Sequence, residues 1–537
     1  MKRSFLAVIV VLVAVWTFQY TEYLTTIYFG KPLLTGSIAF ALTMIGVLFQ
    51  SKKGQAFFPR VAERQAWIRY LPAVAAIALL LLLPAQRMEE PPVGPGDSLH
   101  LVEFIPVFSE LYGYLTTPDE LLELFVRSKL FLLLQPVTEA RNAIGLYSYF
   151  AGLVHLAAVI FFLKNRQDWM SGWLILFFTP VMALYAGYVE SYSMARALIF
   201  TTIVSGWTAI NQRASRARNL WVVAAAATAA IAVLHHLLAG LMLPALIYLI
   251  WQISNRESKT FLRLSLVAGL TGICIISAVY LGFLFSSHSG LVFAESHVGT
   301  DGMMPAGKLL SPRNLSKMAG LLFATPTFLI LLFSNPTEKI QDKQDASIRR
   351  FLWISTVPFL LHAFLWNAAI GMPADWDLFT FFAVPLSLLV YHNLSQIHIH
   401  RILKAVLLPL LTALPGILWL CWLNETTPAT LKNRQYIAYI ETSVIPVLKE
   451  DRLLAQLPMK RQKMYLRLRL FEEKARFRLR QMPVSQDRQK AEQDLSKGMQ
   501  TFHSGLLESD AIFEARIAET QKYLFPVYQF LQAQNSE

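Results

Sequence analysis

The sequence has little charge and almost no cysteine for its length. Of its 537 residues, 15% are charged and 55% are hydrophobic, whereas soluble domains carry roughly 25% charge. Both cysteines, Cys274 and Cys421, lie in apolar runs, so neither a disulfide framework nor cysteine redox chemistry is expected. The composition predicts a polytopic membrane protein. Because no segment alternates apolar and polar residues, we expect its spans to be helical.

The sequence also lacks the common nucleotide, dinucleotide and metal signatures. It has no Walker loop, no GxGxxG fingerprint, no HExxH and no CxxC pair, which disfavours nucleotide-driven transport and soluble-cofactor redox chemistry. The net charge of +13 could indicate nucleic acid, but the basic residues cluster beside apolar runs and in one tail. Topology signals and a basic domain explain this charge better, so no nucleic-acid partner is expected.

Apolar runs long enough to cross a bilayer recur through the first four-fifths of the chain. A span needs about 20 residues, and about 17 when it is short. On this criterion we predict about thirteen spans. They are Phe5–Thr21, Leu33–Phe49, Tyr70–Leu83, Leu146–Leu163, Gly172–Tyr188, Met194–Ile210, Leu220–Leu234, Leu237–Trp251, Leu262–Phe285, Met318–Phe333, Phe351–Ile370, Leu378–Leu394 and Ala405–Leu423.

Basic residues fill every second short loop between these spans, which places those loops in the cytoplasm. The remaining loops, acidic or nearly uncharged, then face outward. The stretch from Leu220 to Trp251 is short for two spans. If it crossed the membrane only once, every later loop would lie on the opposite side of the membrane. Two short helices that meet near His235 and His236 fit the charges better.

These patterns divide the chain into three parts. Residues 1–69 form an N-terminal transmembrane hairpin, residues 70–423 a transmembrane module, and residues 424–537 a helical domain on the extracytoplasmic side. The segment Lys460–Arg480 of the last part is strongly cationic. It could bind anionic lipid or an acidic acceptor, or be a solvated helical face.

The first outer loop, residues 86–142, is rich in carboxylates. Its Pro- and Gly-rich start ends at Asp97, which stands where an N-cap would begin a helix. Two amphipathic helices follow, the second starting near Asp119, and we expect both to lie in the membrane interface and hold Asp97 above it. Asp97 is therefore a candidate catalytic residue, and helix capping is the alternative.

The second outer turn places Glu190 between two spans. A carboxylate in such a short turn is costly unless water, a cation or a basic partner accompanies it. Arg196 lies less than two helical turns further on, so a Glu190–Arg196 surface pair is one interpretation. In the other, Glu190 binds a metal or the acceptor and Arg196 binds a lipid phosphate, which its planar fork suits.

Two further clusters fall on the same side. Adjacent helical residues diverge by about 100°, so His235 and His236 would not share a metal; one could bind phosphate or substrate while the other packs, or both could mark a polar helix break. Asp375, Trp376 and Asp377 follow a proline and are typical of a sugar-binding edge. Asp377 could equally cap the next helix.

The order and shared side of these segments resemble the GT-C class of integral membrane glycosyltransferases. The likeness is carried by three segments and covers roughly Tyr70 to Leu423. The segments are Gly96-Asp97-Ser98, Gly187-Tyr188-Val189-Glu190-Ser191-Tyr192 and Asp375-Trp376-Asp377-Leu378-Phe379. Relatives in that class include oligosaccharyltransferase catalytic subunits, protein O-mannosyltransferases and bacterial aminoarabinose transferases of lipid A.

The resemblance implies transfer of a sugar, with inversion, from a polyprenyl-phosphate donor to an extracytoplasmic glycan, lipid or protein. Asp97 would be the general base or anchor a divalent cation. Glu190 would help to hold that cation or orient the acceptor, and Arg196, with a histidine, would stabilise the leaving phosphate. Ser98 stands where many members have a second acid, which weakens the case for a metal. The two extra N-terminal spans suggest an added hairpin.

Other classes stay open at this point. A transporter or flippase of lipid-linked saccharides would need charges at mid-membrane depth in inverted repeats, and few such charges are present. A polymerase or ligase of surface polysaccharide, or a non-catalytic scaffold, is the other alternative. In each case we expect an integral membrane protein, of the bacterial cytoplasmic membrane for the enzyme.

Overall fold

The computed structural model describes residues 70–86, 88, 98–166, 168–254, 257–285, 302–312, 314, 315, 317, 318, 321, 325, 343–367, 376–396, 414–424 and 426–535. Helices connected by turns and loops make up nearly all of these residues, with one pair of two-residue antiparallel strands, β1 (Gly302–Met303) and β2 (Trp366–Asn367). Gly302 pairs with Asn367, and Met303 pairs with Trp366. The predicted all-α fold is confirmed.

Thirteen of the described α-helices precede residue 426. They are α1 (Leu71–Leu82), α2 (Ser98–Tyr112), α3 (Leu121–Leu134), α4 (Ala140–Leu163), α5 (Trp169–Leu176), α6 (Ser193–Asn211), α7 (Ser215–His235), α8 (Leu243–Ile253), α9 (Ser258–Leu284), α10 (Lys343–Leu365), α11 (Trp376–Phe379), α12 (Ala383–Gln396) and α13 (Leu414–Asn424). Short 3₁₀ helices span Pro180–Tyr185, Leu237–Met242, Ala306–Lys308 and Thr380–Phe382.

Among the described residues, five helices are long and apolar enough to cross a membrane: α4, α6, α7, α9 and α10. Three shorter apolar segments accompany them, at Leu71–Leu82, Leu237–Ile253 and Thr380–Leu394. The chain is therefore an integral membrane protein. The predicted spans in 1–69 lie outside the described residues, as do most of Met318–Phe333 and about half of Ala405–Leu423.

One predicted span is wrong as a continuous helix. In place of Gly172–Tyr188, α5 ends at Leu176 and a 3₁₀ helix follows at Pro180–Tyr185. Pro180 has no N–H to continue the hydrogen-bond ladder, and Thr179 before it is extended, as a residue before proline prefers. Every residue from Ile175 to Ala197 is buried nonetheless.

Neighbouring groups satisfy the carbonyls that this irregular segment leaves outside a helix. His155 Nε2 lies 2.9 Å from Leu176 O, Ser193 Oγ 2.9 Å from Leu184 O, and Ala85 N 2.7 Å from Ala186 O. Non-helical backbone at membrane depth is tolerated only where protein or water satisfies it in this way. The segment therefore belongs to the interior of the bundle.

A close contact fixes the end of that segment against α4. Gly187 has a φ of +77°, a conformation that favours glycine, and a Cβ added to Gly145 would lie 2.6 Å from Gly187 O. Both positions therefore require glycine for the turn to sit on α4. The carboxylate of Glu190 follows three residues later.

The interpretation of Leu220–Trp251 as two segments is confirmed. Helix α7 ends at His235, His236 is extended (φ −160°, ψ 125°), and a 3₁₀ turn leads into α8. His236 Nδ1 accepts from Leu238 N at 3.1 Å, so its side chain caps the new helix. His236 is thus outside α7, and the assumption that both histidines are helical is wrong for it.

After residue 426 the described chain forms six more α-helices and one π-helical turn. They are α14 (Pro428–Tyr439), the π turn Ile440–Val444, α15 (Ile445–Lys449), α16 (Arg452–Gln456), α17 (Met459–Gln481), α18 (Gln486–Gly505) and α19 (Asp510–Asn535). The prediction of a helical tail is confirmed.

The two helices of the first outer loop share a hydrophobic core with this tail. Leu99, Val102, Ile105 and Phe108 of α2 are buried in one cluster with residues of the C-terminal helices, such as Leu466. The expected placement of this apolar stripe on lipid is therefore wrong, because the tail covers it. The spans form a separate core.

The cationic segment in α17 is largely internal to the fold. Arg461, Lys463 and Lys474 are buried, and Arg469 and Arg476 pair with Glu472. Arg461 bonds the carbonyls of Leu506 and Glu508 at 2.7 Å each. Many of these charges hold the domain together, so neither interpretation of the segment, a lipid surface or a solvated face, describes it as a whole.

Candidate active site

An ion pair lies wholly inside the first outer loop, on α3. The guanidinium of Arg127 holds Glu123 Oε1 with two bonds, from Nε at 3.0 Å and Nη2 at 2.8 Å. Both side chains are 0% exposed. The four-residue spacing places them on one helix face, and two charged hydrogen bonds to the same carboxylate oxygen offset part of the desolvation that burial costs.

The same guanidinium ties the loop to the bundle. Arg127 Nη1 donates to Ile144 O at 2.9 Å and Nη2 to Ser148 Oγ at 3.3 Å, both on α4. Nη2 also donates to the main-chain oxygen of Glu190 at 2.5 Å. One buried arginine therefore connects the first outer loop, the start of α4 and the second outer turn.

Glu190 is buried, with 2% of its surface exposed, and its side chain meets the first outer loop. Ser98 Oγ, at the first residue of α2, donates to Glu190 Oε1 at 3.4 Å. Asp97, the predicted base, lies outside the described residues. Its chain neighbour Ser98 nonetheless brings this part of the loop to the second predicted acid.

Arg196 connects the same turn to the fourth predicted cluster. Its Nη1 donates to Thr380 Oγ1 at 2.8 Å, and its guanidinium carbon lies 4.4 Å from the ring centroid of Phe381. The side chain is 0% exposed, so a surface pair between Glu190 and Arg196 is wrong. The short helix α11 and the 3₁₀ turn after it place Thr380 here.

The remaining residues of the fourth cluster are less fully described. Asp375 lies outside the described residues, while Trp376 and Asp377 begin α11. Asp377 is thus the second residue of this helix, and the capping alternative for it stays a prediction. Their roles in sugar binding stay predictions.

The two histidines diverge, as expected, and each contacts a glutamate of the first outer loop. His235 Nδ1 lies 3.1 Å from Glu123 Oε2, and Tyr147 OH lies 3.4 Å from both ring nitrogens. His236 Nε2 lies 3.9 Å from Glu120 Oε1. Its ring also packs on Tyr192 and Phe381, with centroids 5.0 and 5.6 Å apart.

The C-terminal domain adds cations beside this loop. Burial and the charge of Arg467 lower the pKa of Lys463 to about 8, although Asp119 of the loop acts in the opposite direction. The main-chain oxygen of Asp119 accepts from Leu237 N at 3.0 Å, just after the two histidines. A buried amine with a lowered pKa therefore borders the loop.

A divalent cation would need oxygen ligands at this end of the bundle. Glu190 and Ser98 supply a carboxylate and a hydroxyl, which suit Mg²⁺ or Mn²⁺, but Glu123 is occupied by Arg127 and His235. Within the described part of the chain, no three His, Cys, Asp or Glu side chains form a metal-binding group. A cation at Asp97 and Glu190 stays a prediction.

Several members of this cluster were not singled out from the sequence. The sequence patterns distinguish Glu123 in no way from the other acids of the loop, and they do not point to Arg127, Tyr147, Ser148 or Thr380. The available signal was the Glu123–Arg127 spacing on the apolar side of α3, beside Leu124 and Phe131, where an unpaired charge would be costly.

Comparison with known proteins adds a distant likeness. No family model and no curated protein matches this chain. Two crystal structures of ArnT from Cupriavidus metallidurans, one in the apo state and one bound to undecaprenyl phosphate, are similar to it. Each has 14% identity and a TM-score of 0.39, over 87% of this chain and 77% of ArnT.

ArnT is a GT-C glycosyltransferase, the class that the sequence resembles. A TM-score below 0.5 establishes neither a common fold nor a common activity. The geometry of the described residues therefore has to carry the functional argument.

Proposed function

We propose that this protein is a membrane glycosyltransferase that moves a sugar from a polyprenyl-phosphate donor to an acceptor on the extracytoplasmic side. The observation that carries the proposal is the meeting of distant segments at one end of α6. Ser98 contacts Glu190 just before this helix, and Arg196 in its first turns contacts Thr380. The two residues of the first contact are 92 positions apart in the sequence, and those of the second are 184 apart. Both contacts lie at the N-terminal end of α6.

The proposed reaction is a single displacement at the anomeric carbon. Asp97 takes the proton of the acceptor hydroxyl, the acceptor oxygen bonds to the anomeric carbon, and the bond from that carbon to the phosphate oxygen breaks. The polyprenyl phosphate leaves with the electron pair, and the configuration inverts. The base must stand within about 3 Å of the proton that it takes.

The buried cations have matching roles in this scheme. Arg196, held by Thr380 and Phe381, keeps a fixed positive charge near the leaving phosphate, which is worth most in a water-poor site. Glu190 orients the acceptor or, with Asp97, binds a divalent cation, which would neutralise phosphate charge when bound. His235, which Glu123 positions, and His236 would contact the polyprenyl-phosphate donor.

A transfer assay on purified protein tests the proposal. A panel of undecaprenyl-phosphate hexoses and pentoses serves as donors, and release of undecaprenyl phosphate is measured with membrane glycans and lipids as acceptors. Because a general base contributes about 10²–10⁴-fold, Asp97→Asn should reduce release at least about a hundredfold. Glu190→Gln should reduce it less while the protein stays folded.

The matched control is Glu139→Gln, which changes an exposed carboxylate at the start of α4. It should keep transfer near the wild-type rate. Folded Asp97→Asn and Glu190→Gln proteins with full transfer would remove both site assignments. Movement of a labelled lipid-linked saccharide across vesicles, without any transfer, would favour the transporter instead.

A further inference from the structure

Two arginines lie where the C-terminal helices meet the start of α4, since Ala140 and Ala143 of α4 share a buried core with Tyr436 and Ile437 of α14. Arg141 on α4 is 5% exposed, and Arg434 on α14 is half-buried. The positive charge of Arg434 acts directly on Arg141. Since arginine stays protonated in proteins, this arrangement is a standing repulsion in a poorly hydrated place.

The described neighbours satisfy these guanidinium groups only in part. Arg141 Nη1 donates to Asn142 Oδ1 at 3.3 Å, and Arg434 Nη2 donates to Gln86 Oε1. The Nε atoms of both arginines are buried without a hydrogen-bond partner. Glu139 attracts Arg141 but is exposed, and no ion pair among the described residues includes either arginine.

Hydrogen bonds fix the backbone of α14 near the pair. Met88 N and O bond Thr430 Oγ1 and Asn433 Nδ2 on α14. Asn424 Nδ2 donates to Pro84 O at 2.9 Å. Ala85 N donates to Ala186 O, so residues on this side of α14 also bond the turn at Ala186.

We propose that Arg141 and Arg434 form a binding site for a phosphate group that bridges the transmembrane module and the C-terminal domain. Two planar guanidinium groups match the oxygens of a phosphate monoester or diester. The start of α4, where Arg141 lies in the first turn, adds the positive end of a helix dipole. Gln86 and Tyr149 border the site.

This site is separate from the proposed catalytic one. Tyr149, which lies near Arg141, packs on Gly187, while Ser98 and Arg127 contact Glu190 three residues further on. The phosphate could belong to an anionic lipid headgroup or be inorganic phosphate. In either case the bound phosphate joins α4 to α14 and stabilises the contact between the C-terminal domain and the transmembrane module. The inference does not depend on glycosyl transfer.

Thermal unfolding of the purified full-length protein in phosphate-free buffer tests the site. Micelles are doped with phosphatidic acid or with diacylglycerol of the same chains, and a separate arm receives inorganic phosphate. Wild type should gain thermal stability from phosphatidic acid and not from diacylglycerol. A gain from inorganic phosphate as well would mean that the group alone is recognised.

Arg434→Gln should weaken the apparent affinity for the phosphate ligand at least about tenfold, because a charged hydrogen-bonding partner is lost. In phosphate-free buffer the same variant should be no less stable than wild type, since it removes the repulsion. The matched control is Lys432→Gln, an exposed cation on the same helix, which should respond like wild type.

Arg434→Lys keeps the charge without the planar fork and covers the case in which Arg434→Gln does not fold. It should bind the phosphate ligand more weakly than wild type and more tightly than Arg434→Gln. Two results would overturn the proposal: a wild type that neither phosphate source stabilises, or equal responses from the Arg434 and Lys432 variants.

Discussion

Each helix of the first outer loop buries one glutamate, and the two are paired in different ways. Glu123 on α3 is held by Arg127, four residues away on the same helix, and by His235. Glu103 on α2 accepts from Tyr436 OH at 2.6 Å and from Lys474 Nζ at 3.2 Å, residues 333 and 371 positions away. One pair faces the spans, and the other faces the C-terminal domain.

This difference shows what each half of the loop depends on. The Glu123–Arg127 pair can form within α3 and then dock on α4 and the turn at Glu190. Glu103 finds its cation only when α17 is in place. The loop therefore acts as a layer between two bodies, attached to the spans by a local pair and to the C-terminal domain by a long-range one.

The largest effect is expected from breaking the local pair. Arg127→Met leaves Glu123 buried with only His235, so the free energy of unfolding should fall by about 3–5 kcal/mol. Denaturant titration in detergent measures it. Lys129→Met on the same helix is the control: its exposed amine donates to Gly113 O and lies over the rings of Tyr114 and Phe125, and such exposed contacts should be worth about 0.5–1.5 kcal/mol. Equal losses would contradict the comparison.

A smaller, pH-dependent effect is expected from the long-range pair. Burial raises the pKa of Glu103, but Lys474 and hydrogen bonds from His100 and Tyr436 outweigh it and hold that pKa below its ordinary value of 4.5. Glu103→Gln should therefore lose about 1–3 kcal/mol at neutral pH.

The sign of this pH dependence follows from linkage. A depressed carboxyl pKa contributes stability above its unfolded value, and this contribution disappears as the pH falls through the folded pKa. Melting temperatures of wild type and Glu103→Gln should converge in acid. Glu492→Gln, which breaks an exposed pair with Arg488, gives the baseline. A constant difference at every pH would remove the charged pair from the explanation.

The smallest effect is expected from a second, exposed link to the C-terminal domain. Lys449 Nζ lies 2.6 Å from Glu110 Oε2, with side chains 46% and 15% exposed. Lys449→Ala should cost about 0.2–1 kcal/mol and less in high salt, since water and ions screen such pairs. If Lys449→Ala lowered the free energy of unfolding as much as Glu103→Gln, the exposure of the Glu110–Lys449 pair would not explain a difference from the buried Glu103–Lys474 pair.

The sequence predicted the helices better than it predicted what covers them. The Leu220–Trp251 break was predicted correctly because length and charge report directly on membrane crossing, whereas the apolar run Gly172–Tyr188 concealed an irregular segment. The stripe of α2, by contrast, was assigned to lipid. Apolar periodicity identifies a buried face and not its partner, which here is a domain more than 300 residues later.

The candidate site could be predicted only in its polar outline. Glu190 and Arg196 stood out because charges beside spans are costly, whereas Arg127 lay in a loop where charge is ordinary. Its burial depends on contacts with Ile144, Ser148 and the main chain of Glu190, and sequence spacing does not encode such contacts.

The irregular chain between α5 and α6 binds its neighbours mainly through main-chain oxygens. Main-chain carbonyls do not change when side chains are substituted. The residue types of this stretch can therefore vary as long as the side-chain volumes still fit the interior of the bundle. The polar partners that reach it (His155, Ser148, Arg127 and Ser193) have no such freedom. In distant relatives, this passage should therefore be traceable through those four donors rather than through its own residues.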